Sequence, residues 1–181
     1  TRHLISIKLP VFDISGETGS LISIGIDVSR RKLVESALQN VALSITSVQG
    51  ENVLRELASY VCESLRVDFA LIGSVRDGVV DTLAVCDRGV ILDTFAYDLA
   101  GTPCEDVVGK QFSIHPDKLL HLYPRNELLR RFGFRSYAGI PLFDSAGVAI
   151  GILAVLHRRP MRQPQFVASL LKLYSVRAAA E

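Results

Sequence analysis

The sequence predicts an α+β protein: an antiparallel β-sheet with helices packed on one face, preceded by a separate β-hairpin. Three observations carry that reading. Two pairs of β-rich runs, 69–75 with 80–86 and 136–143 with 148–156, are each joined by a short segment holding Asp and Gly, the chemistry of antiparallel hairpins. Helical periodicity stands before the first pair and after the second, with a long irregular stretch between them. The regular strand–helix–strand alternation that builds a parallel sheet is missing.

The first element is a hairpin, with β-rich runs at 4–12 and 21–28 around the glycine-containing segment 13–19. Two strands alone are marginal in water, so this hairpin calls for the rest of a sheet. Ser29 then offers a helix N-cap, and Val34, Leu38, Val41, Ile45 and Val48 recur at spacings of four and three. That seam suits either a dimer or packing within the chain. After Gly50, a second helix ending near Arg66 has the apolar face Val53, Leu54, Leu57, Val61 and Leu65. The hairpin 69–75/80–86 follows, its turn marked by Asp77-Gly78. In the irregular middle, the reading places a strand at 94–97, a glycine-proline loop at 100–103 and short helices at 104–108 and 126–131. The second hairpin turns through Asp144-Ser145-Ala146-Gly147, and a terminal helix spans 163–181.

Composition narrows the function classes. Of 181 residues, 49% are hydrophobic and 22% charged, which suits a packed core. A net charge of +1 gives no broad field for nucleic acid or an anionic bilayer, so neither is expected as a partner. The longest apolar run, 148–156, is about half the length of a membrane-spanning helix, and no signal sequence opens the chain. Three widely spaced cysteines, Cys62, Cys86 and Cys104, fit reduced thiols rather than a disulfide framework. A cytoplasmic location is the expectation. The chain begins without Met and ends on a helical sequence without a stop signal, which reads as a segment cut from a longer protein.

Two strings carry a family resemblance: Leu99-Ala100-Gly101-Thr102-Pro103-Cys104, and Ser136-Tyr137-Ala138-Gly139-Ile140-Pro141-Leu142 followed by Gly147 and Gly151-Ile152-Leu153. With them, the segment from 50 to 181 resembles a GAF domain. The run Gly25-Ile26-Asp27-Val28-Ser29-Arg30-Arg31-Lys32 makes residues 1–28 resemble the last two strands of a PAS domain, with 29–49 as the linker helix that follows. The resemblance implies a non-catalytic regulatory sensor or dimerisation module in a multidomain bacterial signalling protein, such as a histidine kinase of a two-component system or a diguanylate cyclase. Implied partners are a second copy through the helices, the adjacent PAS and output domains, and a small-molecule ligand.

The same resemblance puts the ligand between the sheet and the irregular middle. The candidate pocket residues are Tyr97, Thr102, Cys104, Phe112, His115, Tyr123, Ser136 and Tyr137. Phe112, Phe132 and Phe134 are candidates to fill such a pocket instead. Cys104 opens a short predicted helix, where free amides and the dipole would lower a thiol pKa; the alternative is a small buried residue that locks the turn. Bilin-binding relatives follow the attachment cysteine with histidine, whereas Glu105 follows Cys104, and the Asn-Lys-Phe-Asp-Glu signature of cyclic nucleotide sites is not found. No cofactor is named. The rival class is a thiol enzyme similar to free methionine sulfoxide reductases, with Cys104 as the catalytic thiol. The second cysteine expected on 94–97 is missing, and Cys86 is on the strand before. His115, Asp117 and His121 match no zinc spacing, Arg130-Arg131 and Arg158-Arg159 read as short basic pairs, the latter guarding a strand edge and neither making a binding patch, and Asp68 and Glu105-Asp106 read as capping acids.

Overall fold

A computed structural model describes residues 4–12, 18–28 and 51–181; the predicted seam at 34–48 lies outside them. The chain divides into two compact units, one holding the hairpin and the other holding 51–181. In the first, β1 (Leu4–Phe12) pairs antiparallel with β2 (Thr18–Asp27). Alternation puts Ile7 opposite Ile24 and Leu9 opposite Ile22 on one face. All four remain substantially exposed, the apolar side of a two-stranded ribbon.

The second unit is built on a seven-stranded antiparallel sheet. Its strands are β3 (Phe69–Arg76), β4 (Val79–Asp87), β5 (Val90–Leu92), β6 (Ala96–Asp98), β7 (Ser113–His115), β8 (Ser136–Phe143) and β9 (Ala149–His157). Their order is β5-β4-β3-β9-β8-β7, with β6 also pairing with β4. The two predicted hairpins are therefore the four central strands, and β9 joins them by pairing with β3. Between β3 and β4, Asp77 and Gly78 both take positive φ, 50° and 79°, as a tight two-residue hairpin turn demands. At the β3–β9 contact, a Cβ on Gly151 would collide with the carbonyl oxygen of Gly73, so the close approach of these strands depends on that glycine.

One sheet face carries α1 (Glu51–Leu65) and α4 (Pro164–Ala179). Val53, Leu54, Leu57, Ala58, Val61 and Cys62 of α1 are buried, as are Val167, Leu170, Leu171, Tyr174 and Ala178 of α4, each large apolar chain contributing about 1.5–3 kcal/mol. Ser64 and Tyr174 hydroxyls, 2.8 Å apart, tie the helices together. The opposite face, formed by Phe69, Leu71, Val80, Val85, Tyr137, Ile152, Ala154 and Leu156, is covered by the segment 97–134.

That middle segment departs from expectation. The strand expected at 94–97 is Ala96–Asp98, and the helix expected at 104–108 is a single 3₁₀ turn, Pro103–Asp106. Strands β5 and β7 and the short helix α2 (Leu119–Leu122) were not foreseen, while α3 (Glu127–Phe132) was. The side chain of Asn126 accepts from the Leu129 amide at 2.9 Å, and Gly133 closes α3 at φ 70°, which are ordinary start and stop devices. Arg158 does not guard an edge, because β9 is internal to the sheet.

Candidate functional site

The candidate site lies where the 97–134 cover meets the sheet. β6 brings Tyr97 alongside Val80 of β4, and the Gly101-Thr102-Pro103 turn sets Cys104 beneath it. The Thr102 hydroxyl donates to the Leu99 carbonyl at 2.7 Å, and the Gly101 amide donates to Glu105 at 2.8 Å; these two bonds fix the turn. From β8, Tyr137 points to this same face, its ring lying over Gly139 where a Cβ would collide with it. Cys104 Sγ is then 3.3 Å from the Tyr97 hydroxyl and 3.5 Å from that of Tyr137, which donates to it.

This thiol is closed in. Cys104 is 4% exposed, and burial pushes its pKa up against the opposing hydrogen bonds of Tyr137, Tyr97 and Thr102. Of the two readings of this residue, the buried one that locks the turn fits and the activated thiol does not: the 3₁₀ turn is too short to build a dipole that outweighs desolvation. Burial, reinforced by Cys104, likewise raises the Tyr97 and Tyr137 phenols, so all three groups stay neutral near pH 7.

Around this centre the cover supplies a second polar group. The Tyr123 hydroxyl donates to Asp106 and lies 3.3 Å from His115 Nε2, which stands 3.8 Å from Asp106. Burial lowers the His115 pKa, partly offset by Asp106, and Tyr123 is raised by burial and by its bond to Asp106. The His115 ring meets Tyr123 edge-on at 5.6 Å and lies 6.1 Å from the Tyr137 ring. Asp106, read from sequence as a cap, is thus part of the constellation.

Aromatic rings close the other end of the face. Phe132 and Phe134 stack at 5.4 Å and both meet Phe69, at 5.6 and 5.1 Å. An open cleft of about 330 Å³ lies over the cover, lined by Tyr97, Asp98, Gly101, Thr102, Arg125 and Asn126 among others. Tyr97 and Thr102 therefore stand between the cleft and Cys104.

The structure brings Tyr97, Thr102, Cys104, His115, Tyr123 and Tyr137 together and leaves Ser136 apart. Ser136 alternates to the helix face and donates to the Arg159 carbonyl at 2.8 Å. Phe112 precedes β7 and is half-buried. Asp117 is held by a bidentate bond to Arg135 at 2.9 Å, His121 is exposed, and among the described residues no group of three His, Cys, Asp or Glu side chains is placed to hold a metal. Cys86 lies on the helix face, its carbonyl accepting from Cys62 and its thiol 3.7 Å from Ser59. The sheet separates it from Cys104, so it cannot serve as the second thiol of a Cys104 pair.

Sequence reasoning missed one network. Arg158 donates to both Asp87 oxygens at 2.9 Å, to the Phe132 carbonyl at 2.9 Å, and from its backbone to Asp68 at 2.8 Å. His157 Nδ1 lies 2.8 Å from the same Asp68 oxygen. It pins the end of the cover to the ends of β3, β4 and β9. The pairings of Asp68, Asp87 and Arg158 are long-range, and only the internal position of β9 could have hinted at them.

A seven-stranded antiparallel sheet held between a helix layer and a loop-built cover defines an α+β domain. The GAF domain family model matches residues 49–180, and the chain belongs to that family. In sequence it is similar to hybrid signal transduction histidine kinase F of Dictyostelium discoideum, 22% identical over 153 residues that make up 83% of this chain but 13% of that protein. In fold it is similar to the A. aeolicus nlh2 GAF domain in an inactive state (TM-score 0.62, 10% identity, 83% of this chain and 93% of that one). A phycocyanobilin-bound GAF domain from a cyanobacterial phytochrome is also similar (0.63, 17%, 81% and 91%), as is the chromophore-binding domain of Stigmatella aurantiaca phytochrome P1 (0.63, 13%, 99% and 69%). None of the described helices is long and apolar enough to cross a membrane.

Proposed function

We propose that residues 50–181 form a non-catalytic regulatory module of a multidomain signal-transduction protein. In this reading the module relays conformational change between the helix that enters it and the helix that leaves it. The observation that carries this is the double role of β8. Tyr137 on one face closes the candidate site, while its neighbours Ser136 and Ala138 alternate to the face that carries α4. A change in how Tyr137 is packed is therefore passed through one strand to the helix layer, where Ser64 and Tyr174 join α1 to α4.

A small molecule would act on this relay by entering from the open cleft, displacing Tyr97 or Tyr137 and meeting Thr102, His115 and Tyr123. Such a ligand shifts the helices only by as much as it prefers one arrangement over the other. The hairpin 1–28 is read as the end of a PAS domain and 29–49 as a signalling helix, with a second copy paired through the helices. The similarity to a histidine kinase supports the signalling context.

Hydrogen exchange tests the relay. Tyr137→Phe removes one hydroxyl without opening a cavity, and the relay predicts altered protection of α1 and α4 amides beyond any change in global stability. If only the 97–134 amides change, the reading is wrong. The dimer is tested by solution mass, with Leu38→Glu and Ile45→Glu expected to give folded monomers.

A further inference from the structure

The basic residues that look scattered in the sequence are gathered by the fold. Backbone bonds hold five loops at one end of the sheet: the Leu119 amide donates to the Arg135 carbonyl at 2.9 Å, the Arg135 amide to the His157 carbonyl at 2.9 Å, the Met161 amide to the Pro116 carbonyl at 2.8 Å, and the Arg88 amide to the Asp68 carbonyl at 2.7 Å. Arg158 adds the C-terminal end of α3 through the Phe132 carbonyl. On these segments Arg88, Lys118, Arg130, Arg131, Arg159 and Arg162 are all exposed, and none lies within ion-pair distance of a carboxylate among the described residues.

Three acids at this end are already engaged, while Glu63, in the last turn of α1, is exposed. Asp68 and Asp87 are held by His157 and Arg158, and Asp117 by Arg135. The opposite end of the sheet carries Asp77, Asp81, Asp98 and Asp144, the first three exposed. Exposed Arg76 adjoins Asp77 there and Arg125 shares the cleft with Asp98, so those acids have cationic neighbours, whereas Arg130, Arg131 and Arg159 stand on segments that Arg158 and the backbone bonds tie together at the basic end.

We infer that this basic end is a docking surface for an acidic polypeptide segment of a partner protein. Five of the six cations without a carboxylate partner are Arg, whose planar fork donates to carboxylates in bidentate fashion, and Arg is the charged residue enriched at protein interfaces. Single-stranded nucleic acid would need exposed rings on which bases stack, but the two phenylalanines on the α3–β8 segment, Phe132 and Phe134, are stacked on each other. A membrane surface would call for an amphipathic helix with an insertion face, whereas these cations stand on short loops and one helix end. This goes beyond the relay reading: it concerns who meets the module, and it holds or fails whatever the site binds.

The test uses the whole chain and a short fluorescein-labelled poly-glutamate peptide, with anisotropy read at roughly 0.15 M ionic strength, where exposed charges beyond about 8 Å are screened. Saturable binding is expected, weakened about tenfold by either Arg130→Glu/Arg131→Glu or Arg159→Glu/Arg162→Glu. It should be unchanged in Arg55→Glu/Lys172→Glu, which alters net charge equally on the helix face. Thermal melting confirms that each variant folds. Absence of saturable binding, equal weakening in all three variants, or tighter binding of a single-stranded oligonucleotide or of anionic phosphatidylserine vesicles would each overturn the inference.

Discussion

Arg158→Met tests whether the network beneath the cover holds the domain together. The substitution keeps much of the aliphatic stem but deletes two bonds to Asp87, the bond to the Phe132 carbonyl and the guanidinium 5.0 Å above the Phe134 ring. Breaking a fully buried ion pair costs about 3–5 kcal/mol because the orphaned charge stays behind. Here both partners are about one-fifth exposed and water recovers part of that, so about 3 kcal/mol is expected at pH 7. With a urea slope of about 2 kcal/mol/M, the midpoint should fall by about 1.5 M. The pH dependence adds a sign. Burial works against ionisation of Asp68, but the Arg158 amide, His157 and the Arg158 charge outweigh it and hold the carboxyl below its usual range. A folded pKa below the unfolded value of about 3.9 contributes stability that is present above that pH and is lost as pH falls through the folded pKa. The gap between wild type and variant should therefore narrow as pH is lowered from 7 to 3. A loss under about 1 kcal/mol at pH 7, or a gap that stays constant, would refute the assignment of this network as a clasp.

Three further outcomes follow from the site. Cys62, Cys86 and Cys104 are all buried, and burial raises the Cys62 and Cys104 thiols; a thiol reagent should label none of the three in the folded protein and all three in denaturant, and rapid labelling of Cys104 would restore the reactive reading. Tyr137→Ala should cost about 3–5 kcal/mol in urea denaturation through the cavity it leaves, and Tyr137→Phe only about 1; equal losses would show that the hydroxyl, not the ring, carries the packing. His115, lowered by burial despite Asp106, should titrate by NMR below the ordinary value of about 6.5. Because the unfolded chain then takes up the proton first, His115 costs stability as pH falls through about 6.5, and His115→Gln should remove that part of the acid slope.

Legibility in the sequence tracked the range of the forces involved. The four central strands and both long helices were readable because alternation, 3.6-residue periodicity and an Asp-Gly turn act within a few residues. β5, β6 and β7 span three residues each and exist only because β4 and β8 offer them an edge. Cys104 is the residue on which Tyr97 and Tyr137 converge, but its environment was not readable: whether a helix start or desolvation governs a thiol depends on what covers it, here those two rings from elements seven and 33 residues away. The same limit explains Ser136. It sits one residue from Tyr137, and strand alternation sends it to the other face.

That alternation also bears on what the module can do. The groups at the centre of the site, Cys104, Tyr97 and Tyr137, are neutral and bonded to one another, so an occupant must compete with bonds the chain already makes. Tyr137 loses its contact with Cys104 and its seat over Gly139 if it moves, and the strand that carries it cannot shift without its helix-facing neighbours. A weak ligand would leave the closed arrangement in place. An occupant able to displace the ring would reach the helix layer by necessity, because β8 is hydrogen-bonded along its length to β9 and interiors this tightly packed transmit displacement rather than absorb it. On the proposed relay reading, closure and relay would both follow from this arrangement, and Tyr137→Phe would separate them: it weakens the closure while leaving the strand intact.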